Sequence, residues 1–224
     1  MGSSAVTSDF VITTSDGIGL EAEKDRDFGH WMSISLFAEG PDYVARRENS
    51  TLWAAVDART IIVRTAAAEP THLPKFVEHI ERRDIPTRAV GDHVSVRVDL
   101  AAHKSPIHHT DPDVHARLKS GANGQARPAG EGLAYRVNKV PVPAAEVQTW
   151  ATAKLARHGV EADDVDIEWY REIRYKRGRS TLPVARVYAT GTVTDADTWN
   201  EAVTTAAGLG KGKSWGTGCI LERN

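Results

Sequence analysis

The sequence predicts an α+β protein built from two tandem ferredoxin-like units, each with the element order β-α-β-β-α-β. Two observations carry this prediction. Short runs that alternate apolar and polar residues fall in pairs, and stretches with apolar residues at helical spacing fall between them. The same element order then recurs in the second half without any repeat of sequence, so the repetition is one of architecture.

In the first unit, "DFVITT" (9–14) reads as the opening strand and the Gly- and charge-rich 16–25 as a loop. From Asp27 to Ala38, Trp31, Ile34, Leu36 and Phe37 recur at helical spacing, with Asp27 placed as N-cap. "STLWAAVD" and "RTIIVRTAA" form a hairpin around Asp57-Ala58-Arg59. "HLPKFVEHIERR" (72–83) reads as a helix with Pro74 in its first turn, and "DHVSVRVDL" as the closing strand. The first unit is therefore expected over 1–101. Residues 102–132, rich in Pro, Gly, His and Lys, read as an insertion.

The second unit is expected over 133–224. "AYRVNKVPV" supplies its first strand. Ala144 to His158 reads as a helix entered through Pro143 and stopped by Gly159. "DVDIEWYREIRYKRGRSTLPVARVYATGTVTD" is a long hairpin, 197–207 a helix capped by Asp195 or Asp197, and "GCILER" the last strand.

Composition narrows the function classes. The chain has 224 residues, 41% of them hydrophobic and 26% charged, ample for a soluble core. The formal net charge of −2 argues against a uniformly basic nucleic-acid binder, so any such role must rest on a local patch. Cys219 is the only cysteine, which excludes an intramolecular disulfide and zinc sites of the Cys₂His₂ or Cys₄ kind. His108, His109 and His115 lie in the insertion without metal-ligand spacing, and no metal or other cofactor is expected. The chain starts without the pattern of a signal peptide, and no apolar run reaches the roughly 18 residues of a membrane span. A cytoplasmic protein with no membrane partner is expected.

Two stretches carry chemistry. The first is "GLGKGKSWGTGCIL" (208–221), with five glycines around Lys211 and Lys213. Gly208, Gly212, Lys213 and Ser214 match the letters of a phosphate-binding P-loop, but the run follows a helix and opens a strand, the reverse of that motif's context. Two readings stay open. One is a helix C-cap followed by a bulged turn. The other is a surface of backbone amides at Gly210, Gly212 and Ser214 that meets phosphates, with Lys211 and Lys213 adding charge. The second stretch is "WYREIRYKRGRS", which concentrates Arg171, Arg174, Lys176, Arg177 and Arg179 and interleaves Tyr170 and Tyr175. Such a ribbon can neutralise nucleic-acid phosphates, or it can be an ordinary solvated hairpin. Arg46 and Arg47 form a smaller basic pair. Trp31 and Trp215 are expected to pack inward rather than to serve as stacking platforms.

Together, "HWMSISLF" (His30 to Phe37), "RRENSTLWAAVD" and the glycine-rich run Gly208 to Ile220 resemble the CasE-type CRISPR RNA-processing endoribonucleases of type I-E Cascade systems. That family carries a His-x₆-Phe helix near its start and a G-h-G-x-x-K-S-x-G-x-G-h-h loop at its end (h, hydrophobic). The resemblance implies two ferredoxin-like domains and metal-free cleavage of a repeat-derived RNA hairpin. The ribose 2′-OH would attack the neighbouring phosphate, leaving a 2′,3′-cyclic phosphate and a 5′-OH. It implies His30 as the proton-transfer residue and Lys213 as a charge on the transition state. RNA contacts would come from Arg46, Arg47, the hairpin cations and the glycine run. The implied partners are the CRISPR repeat hairpin, the mature guide RNA and other Cascade subunits. Many members carry tyrosine three residues before the histidine; here that position is Asp27, which cannot supply a phenol. This departure leaves open a catalytically weak or inactive RNA-binding scaffold of the same fold.

Overall fold

The structure, a computed structural model, describes residues 7–37, 51–67, 69–104, 140–176, 178–205, 208–210 and 215–223. Contacts within the chain define a main unit, made of 1–102 and 143–224, and a separate unit over 103–142.

The main unit opens with β1 (Ser8–Thr14), followed by two short helices, α1 (Ile18–Lys24) and α2 (Arg26–Ser35). The segment read as a loop is thus helical over 18–24. The helices part at Asp25, whose carboxylate accepts the backbone N–H groups of Asp27 and Phe28 at 2.9 and 3.1 Å. Asp25, rather than Asp27, is therefore the N-cap. Next come β2 (Leu52–Ala55) and β3 (Thr60–Thr65). Their turn is held by Asp57, which accepts from the N–H groups of Arg59 and Thr60, both at 2.8 Å.

The segment 72–83 also differs from the expected helix. Residues Val77–Asp84 form a strand, β4, not a helix. β4 pairs antiparallel with β1, from Ser8↔Asp84 to Thr14↔Val77, and is the edge of a sheet ordered β2-β3-β1-β4. The three-residue spacing of Val77 and Ile80 suggests a helix. Edge strands, however, are commonly polar because charge protects them from pairing with other chains, and the ladder to a distant strand overrides local spacing.

β5 (His93–Ala101) then enters a second sheet, with α3 (Val147–Ala156), β8 (Val160–Tyr175), β9 (Ser180–Val193), α4 (Ala196–Thr204) and β10 (Ile220–Glu222). Its order is β10-β5-β9-β8, and every pairing is antiparallel. Both sheets have the ferredoxin-like order. The strand "DHVSVRVDL" opens the second sheet rather than closing the first, and in the first no second helix stands between β3 and β4 among the described residues. A 3₁₀ turn, Ala144–Glu146, leads into α3, and Gly159 ends it with φ +81°. Asp195 caps α4 by accepting the N–H of Thr198 at 3.0 Å. The separate unit contains β6 (His103–Lys104) paired with β7 (Val140–Pro141); the rest of the expected insertion and of "AYRVNKVPV" lies outside the described residues.

One face of the first sheet buries Phe10, Ile12, Trp53, Ile61 and Val63 against Ala22, Met32, Leu36 and Phe37. The opposite face, through Leu52 and Ala54, packs on Cys219 and Leu221. β2 is covered on both sides, which is why all four of its residues are buried. Burial pushes the Cys219 thiol up to about 11, so it acts as a small apolar side chain.

Three arginines stitch this seam. Arg64 from β3 forks onto Asp9 at 2.7 and 2.8 Å and reaches the carbonyl of Ile220 at 3.0 Å. Arg97 from β5 donates to the carbonyls of Ala55 and of Val56, the latter at 2.9 Å. Arg26 from α2 donates to Asp99 of β5 at 3.0 Å and to the carbonyl of Gly216 at 3.3 Å. Arg64 and Arg97 join strands of the two sheets, and Arg26 ties α2 to the second sheet, so the sheets form one packed body.

Candidate functional site

His30 sits at the middle of α2, half-buried. Two features fix its backbone. Gly29 rests on the indole of Trp53: a Cβ there would stand 2.2 Å from Cη2, so only glycine lets the helix lie this flat. One turn earlier on the same face, Arg26 enters the buried network around Asp99. Asp99 also accepts from Arg186 Nε at 2.8 Å and Nη2 at 3.2 Å, and Arg186 reaches Glu23 of α1 at 3.3 Å. Burial alone would raise the Asp99 carboxyl. The Arg186 hydrogen bonds and the Arg26 charge outweigh it and hold the group below the usual carboxylate range.

The imidazole of His30 meets Trp215, with ring centroids 4.7 Å apart and planes at 51°. Trp215 also meets Tyr175, at 5.0 Å and 47°. Tyr175 is the last residue of β8, so the histidine helix, the glycine-rich segment and the tip of the basic hairpin converge on one indole. A second tie lies beside it: the N–H of Lys176 donates to Asp27 Oδ1 at 2.9 Å. Lys176 turns the chain with φ +54°, and Arg179 N–H closes the turn on the Lys176 carbonyl at 3.1 Å.

The hairpin cations differ in their commitments. Arg171 pairs with Glu23 at 3.0 Å and lies over the Trp169 ring at 4.3 Å. Arg174 and Arg179 are exposed and make no ion pair among the described residues. Lys176 is exposed, with its ammonium 5.6 Å from the Tyr175 ring. Arg177, Arg46 and Arg47 lie outside the described residues, as do Lys211, Gly212, Lys213 and Ser214.

The described part of the glycine-rich run is packed inward. Gly208 donates to Ala202, Leu209 to Gly218, and Gly218 to Asp99, all through backbone groups. These amides are committed within the protein. At Gly216, φ is +68° and a Cβ would fall 2.6 Å from Arg26 Nη1, so glycine is required by both conformation and space. Gly210 is half-buried, and a Cβ there would lie 3.6 Å from Lys154 Nζ. Lys154, on α3, thus brings a cation to the run.

Trp215 is half-buried as a bridge between elements, whereas Trp31 is 50% exposed beside His30, contrary to the expectation that it packs inward. Its helix position points away from the core made by Met32 and Leu36. The residues that position the site, Arg26, Glu23, Asp99 and Arg186, are absent from the sequence reading. A signal for one of them exists: Arg186 is a charge inside the otherwise apolar run Leu182–Tyr188, where burial demands a partner. No group of three or more His, Cys, Asp or Glu side chains placed to hold a metal ion occurs among the described residues. No helix among them is long and apolar enough to cross a membrane.

Fold and site define a class: tandem ferredoxin-like proteins in which a helix-borne histidine faces a glycine-rich C-terminal segment. Solved structures share this fold over nearly the whole chain. One is Thermus thermophilus Cse3 bound to an RNA representing a pre-cleavage complex, at 13% identity and TM-score 0.69, with 98% of this chain and 100% of that chain covered. Another is the CRISPR-associated protein Cas6e from Escherichia coli K-12, at 17% identity and TM-score 0.59, covering 96% and 98%. A third is a chain of a CRISPR RNA-guided surveillance complex, pre-nicking, at 14% identity and TM-score 0.57, covering 96% and 98%. No family model and no curated protein matches the sequence.

Proposed function

We propose that this protein is a metal-independent endoribonuclease that cleaves CRISPR precursor RNA at the base of the repeat stem-loop. In this reading it stays on the mature guide RNA as a subunit of a Cascade-type surveillance complex. The observation that carries the reading is the convergence on Trp215 of the His30 helix, the glycine-rich segment and the basic hairpin tip. It occurs on a fold shared with CRISPR endoribonuclease Cse3 bound to RNA.

The chemistry follows from these residues. The ribose 2′-oxygen attacks the adjacent phosphorus and the P–O5′ bond breaks, giving a 2′,3′-cyclic phosphate and a 5′-hydroxyl. One proton leaves the 2′-OH and one reaches the departing 5′-oxygen. His30, whose imidazole can give or take a proton, serves one of these transfers. Lys213 adds positive charge to the phosphorane, where developing charge is best stabilised. Arg174, Lys176, Arg177 and Arg179 hold the stem phosphates, with Arg171, Arg46, Arg47 and Lys211 in supporting contacts. Gly210, Gly212 and Ser214 approach the RNA backbone. A-form RNA has a major groove too narrow for most side-chain reading, so shape and backbone contacts dominate recognition.

The test is cleavage of a labelled repeat hairpin in EDTA, beside a copy with deoxyribose at the scissile position and with His30→Ala. The reading expects one cut by the wild type, a resistant deoxy copy and an inactive variant. Tight binding with no cut replaces it with the RNA-binding scaffold. Neither binding nor cutting removes both.

A further inference from the structure

Trp215 makes ring contacts with both His30 and Tyr175. Neither contact is demanded by the core, since all three rings are half-buried. The indole is itself held. Its neighbour Gly216 is fixed by the Arg26 hydrogen bond to its carbonyl and by close contact with Trp53. Trp53 in turn supports Gly29, beneath His30. The imidazole is thus placed by two tryptophans, one under its backbone and one against its ring.

The same frame reaches the hairpin tip. Tyr175 leans on Trp215, and Lys176 N–H is bonded to Asp27, three residues before His30. Movement of the tip therefore acts on the histidine helix at two points. An indole in ring contact with the imidazole also restricts its rotation.

We infer that Trp215 is a positioning residue: it holds the His30 ring in its reactive orientation and couples that orientation to the hairpin tip through Tyr175. The inference rests on the endoribonuclease reading above. It assigns a role to a side chain that transfers no proton and carries no charge. It also predicts that RNA seated on the tip and the histidine are not independent.

The experiment uses the full chain with Trp215→Leu, Trp215→Phe and Tyr175→Leu, under single-turnover conditions with saturating repeat RNA. Affinity is measured separately on RNA with a deoxyribose at the scissile position. Loss of orientation without loss of the grip lowers the Trp215→Leu cleavage rate about 10- to 100-fold. Its affinity changes by less than about threefold, because the interaction acts on the transition state only. Trp215→Phe, which keeps a ring, recovers most of the rate. In NMR spectra of the free protein, the His30 ring protons carry a ring-current shift that is lost in Trp215→Leu and kept in Tyr175→Leu.

A Trp215→Leu rate equal to wild type overturns the inference, as does a loss of affinity that accounts for the whole loss of rate. If Trp215→Leu does not fold, Tyr175→Leu, at a half-exposed ring, carries the same comparison; an unchanged rate there overturns the coupling. A wild type that does not cleave removes the reading and the inference together. Failure of the inference alone is an active wild type with an equally active Trp215→Leu.

Discussion

Asp27 accepts the backbone N–H of Lys176 at 2.9 Å, so a carboxylate on the first turn of the histidine helix holds the tip of the hairpin 149 residues later in the chain. This is a different task from capping its own helix, which Asp25 performs. A backbone turn with φ +54° at a non-glycine residue needs outside support, and the carboxylate supplies it. Asp27→Ala is expected to leave α2 intact and to free the tip. A charge-assisted hydrogen bond of this kind contributes about 1.5 kcal/mol. Amide exchange at Lys176 should then accelerate about tenfold, with global stability nearly unchanged. An unchanged exchange rate would show that the turn holds itself.

Asp99 carries the second prediction. Its pKa is lowered in the folded protein, so its contribution is complete above the unfolded carboxylate value and is lost as pH falls through the folded one. The acid limb of the stability curve should therefore begin near pH 4, the ordinary aspartate value, and steepen below it. Asp99→Asn takes the paired carboxylate from the buried Arg26 guanidinium and leaves Arg186 with Glu23 and Glu168, at a cost of about 3–5 kcal/mol at neutral pH. Chemical denaturation against pH checks both statements. The variant should lose less stability than wild type between pH 5 and 2, a window of about three units around the aspartate value.

Gly216 tests the packing of the seam. An alanine there takes φ +68° and places its Cβ 2.6 Å from Arg26 Nη1 and 2.8 Å from Trp53 Cζ2. Backbone strain and overpacking together should cost about 2–4 kcal/mol. Thermal unfolding of Gly216→Ala is the measurement. Gly178→Ala is its control: it also has positive φ, +75°, but a Cβ there meets nothing within 4 Å, so only the strain is added.

Much of the fold is legible in the sequence because local signals and tertiary outcome agree. Asp57 at its turn, Asp195 at its cap, Gly159 at its stop and the long β8–β9 hairpin all stand where residue chemistry puts them. The two misplaced strands, β4 and β5, share one cause. β4 is a polar edge strand whose partner, β1, is about 70 residues away in the chain, as in the Ser8↔Asp84 pair, and no local pattern encodes that ladder. With 72–83 read as a helix, β5 falls in the first unit, whereas it belongs to the second sheet. In the site, His30 and the basic hairpin are legible from motif and charge. The ties between them are not: Asp27 to Lys176 and Trp215 to both rings depend on how two distant segments meet.

The hairpin cations divide by what already holds them, and the proposed RNA grip should divide the same way. Arg171 is bonded to Glu23 and stacked on Trp169, and Arg174 and Arg179 are exposed without an ion pair among the described residues. A cation must be unpaired to release counterions from RNA, and each phosphate contact adds about 0.7 to 0.9 to the slope of log K against log salt. Arg174→Ala with Arg179→Ala should therefore weaken repeat-RNA binding and reduce that slope by about 1–2. Arg171→Ala should leave the slope closer to wild type and instead remove a half-exposed ion pair contributing at most about 1 kcal/mol. Binding measured between about 50 and 300 mM salt, roughly a sixfold range of ionic strength, separates the two. Equal slope changes for the two variants would mean that RNA draws Arg171 away from Glu23, loosening α1 from the hairpin when the stem is gripped.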